Sequence, residues 1–281
     1  MTDETETLAR LIAAERARGA RPVSRLGYFC APFRPAQGPY SDRVIKVYRA
    51  LDDRARLDRL AAAHDAYHAL LRETGLRVPD TAFRLVPMDG GLAPVIVQAA
   101  LPAEQMMRPQ LQAAAPDDAL ALMEAAGQAI ARFWHAVEGR PERIGFHPSI
   151  RNFAVAGGEA VFFDTFPPLI GYTRAEMGQL LLLFSDSRLM RTVGPLLRGR
   201  ITAIQDEWYS PPETVVGLVG SACRLRPEHA ARFLDWGRDF AGRAMAPWAA
   251  EIEAGLAAPP RLPRAWTATR RLLGLQGEPN L

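Results

Sequence analysis

Of the 34 basic side chains in this 281-residue chain, 33 are arginine and one, Lys46, is lysine. Both types solvate a surface, but they differ where a compact, mobile point charge must reach a phosphate or a carboxylate in a narrow space. A solitary lysine in an arginine-biased chain therefore asks for a reason. It sits in Arg43-Val-Ile-Lys46-Val-Tyr-Arg49, a β-branched run in which Val44, Lys46 and Tyr48 share one strand face and Ile45 and Val47 the other. The second group is oxygen-bearing. Asn152 stands just before one short strand of a tight hairpin, and Asp164 stands just after its partner, twelve residues on. An amide oxygen and a carboxylate at the same end of a hairpin converge on a small space, and hard ligands of that kind suit Mg²⁺ already shared with phosphates. The plainer roles are a turn cap for Asn152 and a turn or helix cap for Asp164.

Other reactive types carry less. His64 and His68 have the i, i+4 spacing of a helical zinc pair, but there is no HExxH glutamate and no third ligand in view, so a solvated or half-buried helix face is expected. Ser149 lacks a nucleophile-elbow glycine pattern, which disfavours a hydrolase. Cys30 and Cys223 form no CxxC and no metal quartet; two reduced, buried thiols are expected. The segment Asp206-Glu-Trp-Tyr209 and the aromatics Phe233, Trp236, Phe240 and Trp248 read as packing residues, and Met106-Met107 as core filling.

These groups need elements to hold them. A short amphipathic helix is expected over 3–18, then strands over 22–26, 29–33 and 42–49, and a strong helix from Asp53 to Glu73 ending at Gly75. Strands over 82–86 and 95–99 follow, joined by the turn Met88-Asp-Gly-Gly-Leu92. From Pro116 a helix runs to about Gly139, with acids in its first turn. The hairpin, 153–155 and 160–163 around Gly157-Gly158, interrupts a helical remainder placed at about 174–206, 213–222, 227–255 and 264–274. The fold class is α+β: a β-rich half over residues 1–101, a helical half over 102–281, a connector near 101–108, and a cleft between lobes as the place for a ligand.

Composition bounds the function. With 48% hydrophobic and 23% charged residues the chain can fill a core, and a net charge of +3 without basic runs or interleaved aromatics argues against nucleic acid as a partner. No window approaches the length of a membrane span, and the acidic start MTDETETLAR is unlike a signal peptide, so a cytoplasmic protein without a membrane partner is expected.

The order of these features resembles the protein-kinase-like superfamily, closest to its aminoglycoside-phosphotransferase-like branch: a lysine strand, a helix, a connector after two further strands, a loop ending in Asn152 and a hairpin ending in Asp164-Thr-Phe166. The likeness covers roughly residues 22–255. It implies a two-lobed kinase-like fold in which Lys46 holds nucleotide phosphates while Asn152 and Asp164 bind magnesium. It also implies an acid on the 53–73 helix paired with Lys46, and counting back from Val78-Pro79 lands on His64 or Asp65, of which Asp65 is the choice. Three departures stand out. The catalytic aspartate, five residues before the asparagine, is replaced by His147, which can accept a hydroxyl proton near neutral pH or merely hold the loop. The glycine-rich phosphate loop is reduced to Gly27. The DFG slot lacks its glycine. The expected activity is ATP- and Mg²⁺-dependent phosphoryl transfer to a small molecule, with His147 and Asp164 catalytic; the alternatives are a pseudokinase serving as an interaction module and a kinase-fold enzyme with repurposed chemistry such as adenylyl transfer.

Overall fold

A computed structural model describes residues 3–18, 29–184, 205–258 and 260. The architecture is mixed α+β. Helix α1 (Asp3–Ala17) is followed by strand β1 (Arg43–Val47), helix α2 (Arg54–Glu73) and the strands β2 (Thr81–Met88) and β3 (Gly91–Ala99). Two helices, α3 (Met107–Ala113) and α4 (Pro116–Val137), lead to the hairpin β4 (Phe153–Ala156) and β5 (Glu159–Phe162). Helices α5 (Arg174–Phe184), α6 (Pro211–Leu225), α7 (Ala230–Ala244) and α8 (Ala249–Gly255) complete the described part. No helix among the described residues is long and apolar enough to cross a membrane.

The three long strands form one antiparallel sheet in the order β1-β3-β2, with Lys46 opposite Ile96 and Phe83 opposite Ile96 from the other side. Strand alternation sends Ile45, Val86, Val95 and Val97 to one face, where Leu8 and Ile12 of α1 and Phe33 cover them. Tyr48, Phe83 and Ile96 go to the other face and join the main core with α2. Lys46 shares that inward face, so the pleat alone sends the one ammonium into the protein. At the β2–β3 turn Gly91 has φ +121, and a Cβ there would lie 2.3 Å from the carbonyl oxygen of Leu51. Glycine is what lets residue 51 pair with residue 92 beside that turn.

Helix α2 starts on Asp53, whose side chain accepts from the Arg56 N–H at 3.0 Å. Its stripe Leu57, Leu60, His64, Tyr67 and Leu71 recurs at three- and four-residue steps and faces the core. The hairpin turns on Gly157 and Gly158, both at positive φ, as the two-residue glycine loop requires.

Several expectations are revised. Of the strands expected before α2, the one at 42–49 forms as β1, the one at 29–33 reduces to a single bridge from Phe33 to Ile45, and 22–26 lies outside the described residues. The helix expected over 227–255 is four pieces: a 3₁₀ turn at Pro227–His229, then α7, a second 3₁₀ turn at Ala246–Trp248, and α8. Pro247 has no N–H to give and its ring crowds the preceding turn, which the apolar periodicity concealed. Helix α3 starts at the end of the connector expected near 101–108 and fills a stretch for which no element is expected; Met107 and Leu111 are its buried contacts, and Arg226 closes its end by donating to the carbonyls of Leu111, Gln112 and Ala114. The 174–206 helix is described only as α5 and a short turn at 205–207, and the 264–274 helix lies outside the described residues.

Candidate functional site

The hairpin loop is built on aromatic packing. Phe146 stacks on Phe133 of α4 (ring centroids 4.6 Å apart) and leans on Phe162 of β5 (4.7 Å), and these rings are fully enclosed. The backbone around them is tied from three directions. Gly145 N–H donates to the Leu169 carbonyl at 2.8 Å, Phe146 N–H donates to the Trp208 carbonyl at 2.6 Å, and the Tyr67 hydroxyl of α2 donates to the Gly145 carbonyl at 3.0 Å. A Cβ on Gly145 would stand 2.8 Å from the Trp208 carbonyl oxygen, so the segment 205–209 presses directly on this loop. Arg174 holds that segment through a forked pair with Asp206 at 2.6–3.0 Å.

Ser149 and Asn152 then close a turn, with Asn152 N–H donating to the Ser149 carbonyl at 2.8 Å. The Asn152 side chain is buried, and its Nδ2 donates to the His147 carbonyl at 2.9 Å and lies 3.4 Å from His147 Nδ1. The cap role is thus real, and it takes the nitrogen end of the amide. Among the described residues Oδ1 accepts no hydrogen bond. Across the hairpin base the Asn152 carbonyl accepts from Phe163 N–H at 3.0 Å, which sets Asp164 one residue beyond the pair. The half-buried Asp164 carboxylate has neither hydrogen bond nor ion pair among the described residues. It raises the pKa of His147, whose larger perturbation is desolvation, so the imidazole ends below the usual histidine value. Burial, with a contribution from Asp164, pushes the hydroxyls of Tyr48 and Tyr67 well above the usual tyrosine range.

Lys46 arrives at the same place from the sheet. It is 7% exposed, and its Nζ donates to the Phe163 carbonyl at 2.9 Å, with the Phe163 ring 5.8 Å away. Residues 46 and 163 are 117 apart in the chain, and this bond sets the ammonium beside the residue that precedes Asp164. No ion pair of Lys46 occurs among the described residues. Open grooves of about 590 and 330 Å³ lie elsewhere, the first lined by Thr74, Arg132, His135 and Arg243 and the second by Arg72, Gly75 and Arg77.

The α2 partner expected for Lys46 is corrected. Asp65 points outward, its side chain 79% exposed and 4.0 Å from His64 Nδ1. One position back lies the inward stripe, so the residue facing the site is His64, 1% exposed, with Nε2 3.0 Å from the Thr165 hydroxyl. The solvated or half-buried face expected for the His64/His68 pair holds for His68, which is half-buried, and not for His64, which is enclosed. Burial, His68 and Lys46 together lower the His64 pKa to about 3, so the ring is neutral and supplies no counter-charge to the ammonium. The three- and four-residue spacing of Leu57, Leu60, Tyr67 and Leu71 already singles out 64 over 65. Counting from the following proline ignores that phase.

Trp208, by its sequence a packing aromatic, covers His147 at a centroid distance of 4.5 Å. Its sequence carries no signal for that role, because the contact depends on how 205–209 folds back onto the loop. Phe166, in the third position of Asp164-Thr-Phe166, stacks on Tyr48 at 3.8 Å and meets Phe184 edge-on. Tyr48, two residues after Lys46, so pins the same segment that Lys46 and His64 bind. Gly27 lies outside the described residues. The structure brings Lys46, His147, Asn152 and Asp164 to one region and leaves Asp65 on the surface.

A family model described as a family of unknown function (DUF6206) matches residues 7–277, and the chain belongs to that family. No functionally curated protein matches it.

Proposed function

We propose that this member of the DUF6206 family is a kinase-like nucleotide-dependent transferase that uses ATP with Mg²⁺ and acts on a small molecule, with a two-lobed arrangement of the sheet and the helical part. The observation that carries the reading is the meeting of Lys46 with the residue before Asp164 although neither charge has an ion-pair partner among the described residues. A buried ammonium with one carbonyl acceptor is under-solvated, and a half-buried carboxylate without donors is equally so. Polyphosphate and a divalent cation are the pair of opposite charges that satisfies both.

The residues fit Mg²⁺ as a phosphate-borne ion. Asn152 would hold it through an amide oxygen whose nitrogen end is already fixed, and Asp164 through its carboxylate. An ion held there would supply positive charge against the phosphate oxygens. Lys46 supplies a point charge to a phosphate oxygen. His147, neutral and covered by Trp208, orients the loop through its carbonyl and presents its imidazole beside Asp164. In a loose phosphoryl transfer, positioning and charge do most of the work, which makes a catalytic loop without an aspartate workable.

A second reading, a pseudokinase retained as an interaction module, is favoured by one specific contact: Lys46 already donates to a protein carbonyl. Calorimetric titration of the full chain with ATP and MgCl₂ separates the two. Binding that needs Mg²⁺ and is lost in Lys46→Met and Asp164→Asn supports the first; no heat and no thermal shift at millimolar ATP overturns it. Mass spectrometry of candidate acceptors incubated with ATP then distinguishes a transferred phosphoryl from a transferred adenylyl group.

A further inference from the structure

Two side chains from different elements grip consecutive parts of one segment. Lys46 of β1 donates to the Phe163 carbonyl at 2.9 Å, and His64 of α2 lies 3.0 Å from the Thr165 hydroxyl, so Asp164 is bracketed by a clasped residue on each side. Thr165 and His64 are both sealed from solvent (0% and 1% exposed), and Phe166 extends the grip through its 3.8 Å stack on Tyr48. The His64 ring is held neutral, so the clasp works by a hydrogen bond and does not compensate the Lys46 charge. A carbonyl is a weak partner for an ammonium. A phosphate oxygen carrying formal charge outcompetes it, because attraction between opposite charges at a site removed from water adds to a hydrogen bond that the carbonyl offers without a charge.

Resting on the nucleotide-site reading above, we propose that the paired contacts Lys46–Phe163 and His64–Thr165 form a self-engaged latch that holds the site closed, and that a polyphosphate ligand opens it by taking the Lys46 ammonium from the Phe163 carbonyl. Ligand binding then carries the cost of releasing the segment 163–165, so the affinity of the parent protein is lower than the site's intrinsic affinity by the fraction of molecules that are open. Removing the His64–Thr165 hydrogen bond without touching Lys46, Asn152 or Asp164 raises that fraction.

The solitary lysine makes the test direct. Protein labelled with [¹⁵N]lysine has one side-chain ammonium resonance, and titration of the full chain with ATP and MgCl₂ is expected to move it as the carbonyl is exchanged for phosphate. In parallel, calorimetry compares the parent with the double variant His64→Leu/Thr165→Val, which replaces both partners by apolar groups, and with Thr165→Ser, which keeps the hydroxyl. The double variant is expected to bind ATP·Mg about threefold to tenfold more tightly, the worth of one hydrogen bond, and Thr165→Ser to bind like the parent. Binding that leaves the ammonium resonance unmoved overturns the latch while keeping the site, and so does equal affinity in parent and double variant. Binding by none of the three proteins overturns both proposals. If the double variant fails to fold, the resonance of the parent decides.

Discussion

Replacing Lys46 by methionine separates a residue kept for a ligand from a residue kept for the fold. Methionine has a similar length and can lie along the same inward face of β1, so the packing against the hairpin survives. What is lost is one charge-assisted hydrogen bond to the Phe163 carbonyl, worth about 1.5–3 kcal/mol. What is relieved is the desolvation of an ammonium that is 7% exposed and has no ion-pair partner among the described residues, a penalty of several kcal/mol per ion on the order of the values found for buried charges. The second quantity exceeds the first. Lys46→Met is therefore expected to be more stable than the parent by about 1 kcal/mol, a rise in Tm of about 2–4 °C for a domain of this size. Urea melts followed by far-UV circular dichroism at neutral pH measure it, with ATP and MgCl₂ titrated into the same samples. The expected pattern is a higher midpoint together with lost ligand stabilisation. A midpoint lowered by more than about 1 kcal/mol at an unchanged m-value refutes the reasoning, because the ammonium would then be earning its place structurally.

Further outcomes follow from the same geometry. The folded-state pKa of His64 is lowered from 6.5 to about 3, so the unfolded chain takes up the proton first as pH falls; the stabilisation is complete above 6.5 and drains away towards pH 3. Between pH 6.5 and 5 the parent is expected to lose about 1.5–2 kcal/mol more than His64→Gln, read as the difference between their urea midpoints. His68 and His147 are also lowered and act in the same direction in both proteins, so they cancel in that comparison. Gly145→Ala forces a Cβ to within 2.8 Å of the Trp208 carbonyl and 2.9 Å of the Tyr209 ring; a loss of about 1–3 kcal/mol is expected, together with an altered near-ultraviolet dichroism signal from the displaced Trp208, and an unchanged melt contradicts the close packing. Asp164→Asn, at a carboxylate with no donor among the described residues, is expected to leave the melt within about 0.5 kcal/mol while abolishing the Mg²⁺-dependent binding of ATP. Unchanged Mg²⁺ dependence would place the cation elsewhere.

Much of this architecture is written in local patterns. The alternation around Lys46 assigns its face, the spacing of Leu57, Leu60, Tyr67 and Leu71 marks the inner stripe of α2, and Gly157-Gly158 declares a two-residue hairpin turn whose ends bring Asn152 and Asp164 together. Each of these depends on a period or a turn that neighbouring residues alone impose. The misjudged points share the opposite character. Counting from the proline that follows α2 selects Asp65 over His64, although burial follows helical phase. The run 227–255 keeps an apolar periodicity straight through Pro247, so only the missing N–H and the clash of its ring reveal the break. The strand near Phe33 shrinks to one bridge because its pairing edge is set by β1 and by the helix laid over that face.

Chain chemistry by itself therefore determined which residues could act: one ammonium among guanidinium groups, an amide and a carboxylate at one hairpin foot, an imidazole five positions before the amide. Tertiary structure alone decided what those groups meet. The carbonyl that holds Lys46 lies 117 residues away, the ring that shields His147 comes from a segment sixty-one residues downstream, and the neutral His64 faces Thr165 across 101 residues. A side chain's direction follows from its own strand or helix, whereas its partner is chosen by how separate elements stack over a common core, and that choice minimises exposed apolar surface over the whole molecule at once.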